Sequence, residues 1–167
     1  MRGIALYYKS LGNLTLARQA SEIREGMIEE RRKSFPLRDF RGVDPGDIER
    51  LESAGIRNVQ QMLEAGSTPE ARLQLALEAG LSPDAVLDLV KLSDLARIDG
   101  LKGIRARLYY DAGADTLERI AEWEPEDLRR MLAEFVERTG FEGIAPLPKE
   151  VRSTVETARK LEKILII

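Results

Sequence analysis

Apolar residues along this chain recur at intervals of three and four, and no stretch alternates apolar with polar between hairpin turns, so the pattern predicts an all-α protein. The first stripe is Leu16, Ala20, Ile23 and Met27, on a helix expected from about Leu14 to Lys33 and stopped ahead of Pro36. Beyond Arg41 the punctuation is clearer. Pro45, Pro69, Pro83 and Pro125 each stand where a helix begins, the position at which a missing N–H costs nothing. Asp44, Thr68 and Ser82 precede three of them as N-caps. Pro148 opens a fifth helix reaching about Leu161, with Leu147 a poor cap. Gly55, Gly66, Gly80, Gly113 and Gly140 occupy helix ends, where a left-handed residue is expected. Asn58 with Gln61, and Asp115 with Glu118, have capping-box spacing. Such short helices are marginal alone, so packing must stabilise them. The segment Leu81 to Leu95 is the most apolar and is expected to be the most buried.

The pattern repeats. Phe40–Leu63 and Ile98–Ala121 align so that Gly42 matches Gly100, Val43 Leu101, Ala54 Ala112, Gly55 Gly113, and Val59 Leu117. "TPEARLQLA" from Thr68 then resembles "EPEDLRRML" from Glu124, and Pro83 corresponds to Pro148. Changes of register between these matches fall in the connections, which tolerate insertion best. One unit cannot bury its apolar face alone, so the two are expected to pack as a pseudo-symmetric pair. The expected divisions are an N-terminal helical arm over 1–40, a first unit over 41–97, and a second unit with the closing helix over 98–167.

Composition narrows the chemistry. With 167 residues the chain buries about 70% of its unfolded surface, enough for a core of Leu, Ile, Val and Ala. A charged fraction of 33% beside 43% hydrophobic residues marks a soluble, folded chain. It has neither Cys nor His, which removes disulfides, thiolate zinc sites and the usual neutral-pH base. No calcium-loop spacing occurs, no pair of carboxylates stands out as acid and base, and no glycine turn ends in Gly-Lys-Ser/Thr. The expectation is a non-enzyme with no catalytic residue, no metal and no cofactor. "MRGIALYYKSLGNLTL" is too short and too interrupted for a membrane span and lacks a leader's cleavage site, so no membrane contact and a cytoplasmic location are expected.

Gly100, Leu101, Ala106 and Tyr109 resemble the helix-hairpin-helix motif, whose pattern is Gly-hydrophobic-Gly, then Ala four residues on and a hydrophobic residue three further. Gly42, Val43, Ile48 and Leu51 hold the same places in the first unit. Through "RGVDPGDIERLESAGI", "LSDLARIDGLKGIRARLYYDAGADT" and "GIAPLPKEVRSTVETARKL", the span from Arg41 to Leu161 resembles a bacterial family of unassigned function built from tandem units of this kind. The resemblance implies that the turn presents backbone N–H groups and a helix dipole to a nucleic-acid phosphate. Carried onto this chain, the phosphate-contacting residues are Gly100, Leu101, Lys102, Gly103, Arg105 and Arg107. The second glycine of the pattern is Asp44 in the first unit and Lys102 in the second. Asp44 puts a negative charge where phosphate would sit, so the first hairpin is expected not to bind it. Around it Arg38, Arg41 and Arg50 are outweighed by Asp39, Asp44, Asp47 and Glu49, whereas Arg97, Lys102, Arg105 and Arg107 face Asp99 alone.

Two partner readings follow. One is a binding module that contacts DNA or RNA through the second hairpin. The other is a protein-protein scaffold or homodimer in which both glycine turns are structural and the cations form a solvated helix face. Tyr109 is expected in the core, Tyr110 at a base or an interface, and Trp123 as a packing anchor between helices. The apolar tail, Lys163 to Ile167, is expected to dock within the chain, on Gly3 to Leu6.

Overall fold

The computed structural model describes Thr15, Leu16, Arg18, Gln19, Glu22 and residues 35–167. The chain divides into two units, Met1–Phe35 and Pro36–Ile167. In the first, Thr15, Leu16, Arg18, Gln19 and Glu22 are helical and exposed, and Arg18 pairs with Glu22 at 2.7 Å. Ala20, Ile23 and Met27, the rest of the expected stripe, lie outside the described residues, as does Gly3 to Leu6.

The second unit is all-helical. A 3-10 turn, Leu37–Asp39, precedes eight α-helices: α1 Pro45–Ser53, α2 Val59–Ala65, α3 Pro69–Ala79, α4 Pro83–Leu95, α5 Ile104–Asp111, α6 Leu117–Glu122, α7 Pro125–Thr139 and α8 Pro148–Ala158. Five of them start on the expected prolines, and the Asp44, Thr68 and Ser82 side chains accept N–H bonds at the expected caps. Leu147 offers no cap, and Glu150 Oε2 instead accepts the Leu147 N–H at 2.8 Å.

Two capping boxes differ from expectation. Asn58 accepts the Gln61 N–H at 3.1 Å, but Gln61 reaches back to the N–H of Arg57 rather than of Asn58. The cap of α6 is Thr116 and not Asp115, whose carboxylate is taken by Lys91 at 2.6 Å and Arg119 at 2.8 Å. Gly55, Gly80, Gly113 and Gly140 have the expected positive φ. Gly66 does not, with φ −120°. It is glycine for space, because a Cβ there would lie 2.4 Å from Val90 Cγ2 on α4.

Within this unit α2 and α3 pack on α4, while α6 and α7 pack on α8. Helix α4 is the most buried, with Val86, Leu89, Val90, Leu92 and Leu95 almost without exposure, and it also packs on α5. Leu37 and Phe40 are buried ahead of α1. The tail docks, as expected, but its seat is the α2–α3 junction. The Ile166 N–H donates to Ser67 O at 3.0 Å, Leu165 is buried, and Arg72 donates to Gly66 O at 2.9 Å and Ile166 O at 2.8 Å. Arg72 itself is buried, so its guanidinium is held by carbonyls.

Candidate functional site: the two glycine turns

The first turn closes on itself. Gly42 takes a positive φ of 73°, α1 begins at Pro45, and Asp44 Oδ1 accepts the N–H groups of Gly46 at 2.7 Å and Asp47 at 3.1 Å. A carboxylate of the chain thus occupies the place an anion would take at this helix start.

The second turn is built differently. Helix α4 ends at Leu95, and the Ile98 and Leu101 N–H groups step the chain round through bonds to Leu95 O and Ile98 O. Gly100, with φ 84°, faces open space, and Leu101 is buried beneath it. Gly103 is the cap residue of α5, with φ 55° and no side chain to accept an N–H, and a Cβ there would lie 3.3 Å from Asp39 O. Lys102 is half-buried.

The arginines of this turn are half-buried and engage specific acceptors of the same chain. Arg105 donates to Ile144 O at 2.7 Å and reaches Glu150 at 3.5 Å, tying α5 to α8 and to the loop before it. Arg107 pairs with Asp111 at 2.8 Å, donates to Gly42 O at 3.4 Å, and lies 5.5 Å from the Tyr110 ring centre. Arg97 pairs with Asp94 at 2.7 Å and donates to Glu162 O at 2.8 Å. Burial raises the Asp94 carboxyl above its ordinary range, against the pull of Arg97. The six expected phosphate-contacting residues therefore form one continuous turn and helix start, but Arg105 and Arg107 point to different neighbours.

Two clefts border the turns. One, of about 240 Å³, lies between Gly100, Leu101, Arg105 and Tyr109 on one side and Lys149 and Ser153 of α8 on the other. The second, of about 180 Å³, lies between the first turn, α4 and Arg107, and is acidic through Asp44, Asp47 and Asp88. Tyr109 is in the core, hydrogen-bonded to Thr154, and burial pushes its phenol up to about 12. Tyr110 is half-buried, with its hydroxyl bonded to Asp88; burial and that carboxylate raise its pKa. Trp123 is half-buried and closes α6, and its carbonyl accepts from Arg159 of the segment after α8 at 3.1 Å. Sequence reasoning missed Arg72, whose only signal was a cation inside the apolar spacing of α3. Among the described residues no cluster of Asp and Glu is arranged to hold a metal, and no helix is long and apolar enough to cross a membrane.

These elements define an all-helical domain of short, proline-started helices joined by glycine turns. The chain belongs to the family described as Domain of unknown function (DUF4332), whose model matches residues 41–161. No curated protein and no solved structure is significantly similar to it.

Proposed function

We propose that this protein is a non-catalytic interaction module: two helix-hairpin-helix-like units packed as a pseudo-symmetric pair and preceded in the chain by an N-terminal helical arm, with both hairpins serving the fold and the outer helix faces serving protein partners. The parallel packing of α2 and α3 on α4, and of α6 and α7 on α8, supports the paired units. The observation that carries the structural role of the hairpins is the engagement of their cations. Arg105 and Arg107 donate to backbone carbonyls and carboxylates of the same chain, so an incoming phosphate must displace bonds already made.

A second reading keeps the second hairpin as a contact for DNA or RNA phosphate. Gly103 leaves the start of α5 without a side-chain cap, and Gly100 borders open space. Fluorescence anisotropy of labelled single- and double-stranded DNA, from low to physiological salt, separates the two. The interaction-module reading expects no binding even at low salt. Binding that falls steeply with salt and disappears in Lys102→Glu would replace it with the phosphate reading, because counterions compete with phosphate contacts.

A further inference from the structure

Within the second unit, helix α3 presents a surface that no described element covers. Arg72, Leu75 and Ala76 form its inner face, while Leu73 and Leu77 are 54% and 80% exposed. Four residues apart, these leucines share one row of the helix. Glu70, Gln74 and Glu78, again at four-residue steps, form the row beside it, and Gln74 donates to Glu78 at 2.7 Å. All three are exposed. At the N-terminal end of the helix the docked tail adds Ile166 and Ile167, both more than half exposed.

The charges here are unusual for this protein. Elsewhere Arg50, Arg97, Arg107, Arg119, Arg129 and Arg130 each pair with a carboxylate three or four residues away. On α3 the sole cation, Arg72, is turned inward to two carbonyls. Glu70 and Glu78, with the exposed Glu64 of α2, have no cationic partner among the described residues. An apolar row thus runs beside a carboxylate row that no described cation neutralises.

We infer that this face docks an amphipathic helix of a partner protein, one whose apolar row is flanked by lysines or arginines. The inference rests on the interaction-module reading and names its site and the chemistry of its partner. Leu73 and Leu77 supply the apolar contact, and Glu70 and Glu78 orient the incoming cations and speed encounter. A second copy of this chain is a poor occupant, because two such faces bring carboxylates together with no cation between them.

The test titrates the full chain with a fluorescent helical peptide of about 15 residues, long enough to span α3, made of leucine and lysine. A leucine–glutamate peptide of the same apolar spacing is the control. Expected are binding of the lysine peptide alone, and a loss of about tenfold or more in Leu73→Gln/Leu77→Gln, the scale of two unburied leucines. Glu70→Gln/Glu78→Gln should weaken binding and flatten its salt dependence. Both variants change exposed residues, so circular dichroism and Tm should not move. Ile144→Gln, an exposed apolar residue elsewhere, should bind as the wild type.

Equal binding of the two peptides overturns the inference, as does an unchanged Kd in the double leucine variant. Sedimentation showing a dimer that Leu77→Gln dissolves also overturns it, by naming a second copy as the occupant. Lysine-peptide binding that survives on Leu73→Gln/Leu77→Gln but is lost in Ile144→Gln moves the site and leaves the interaction module standing. The module itself falls only to the DNA result described above.

Discussion

Replacing Arg72 with Met removes the charged head that ties the tail to the α2–α3 junction while keeping the stem that lies beside Gly66. The two bonds, at 2.9 and 2.8 Å, come from a charged donor and so contribute roughly 1.5–3 kcal/mol each. Methionine loses side-chain freedom on burial on the same scale as arginine, roughly 1.5–2 kcal/mol, so that contribution nearly cancels. The expected net loss is about 3–6 kcal/mol, a large part of the about 5–15 kcal/mol that stabilises a domain, and at roughly 2–4 °C per kcal/mol for a chain of this size it lowers Tm by about 6–24 °C. Guanidinium unfolding followed at Trp123, the single tryptophan, measures the loss. Hydrogen exchange at Ile166 shows its cause, because the bond to Ser67 O should open while α4 stays protected. Arg72→Lys, which keeps a charged donor without the fork, should fall between. A change below about 0.5 kcal/mol, the scale of an ordinary surface substitution, with Ile166 still protected, would refute the reasoning.

Gly66→Ala should destabilise by about 1–3 kcal/mol because its Cβ meets Val90 Cγ2, and Gly66→Ala/Val90→Ala should lose less than the two changes summed in a urea double-mutant cycle. Ser93 Oγ is buried without a hydrogen-bond partner among the described residues, so Ser93→Ala should raise stability by about 1 kcal/mol in the same assay. Asp44→Ala should lower it by about 1 kcal/mol through loss of the cap, with Asp44→Asn close to wild type. At alkaline pH the folded Tyr109 holds its proton up to about 12 while the unfolded phenol releases it near the ordinary value of 10, so the stability tied to it is complete below about 10 and is lost as pH rises towards 12. Absorbance at 295 nm against ellipticity should show phenolate appearing together with unfolding, and Tyr109→Phe should flatten that part of the pH profile.

What could be read from the sequence was what is decided within a few residues. Asp44, Thr68 and Ser82 cap their helices because the donors they satisfy lie two or three residues on. Thr116 displaced Asp115 because distant Lys91 competes for that carboxylate, a contact that local spacing does not contain. Gly66 carries the same letter as Gly80, yet one is needed for closeness to Val90 and the other for φ, and α4 alone distinguishes them. At the second turn the cationic excess was legible. That Arg105 is held by Ile144 O and Arg107 by Gly42 O was not, since both acceptors are backbone atoms brought in by packing.

The tail clamp joins residues 94 positions apart in the chain. So distant a contact closes only after the helices between have found their places, since the entropy of bringing its ends together must be overcome first. Its strength accordingly belongs to the unfolding barrier: Arg72→Met should leave the refolding rate nearly unchanged and hasten unfolding, so the bond that forms last governs how long the folded molecule endures.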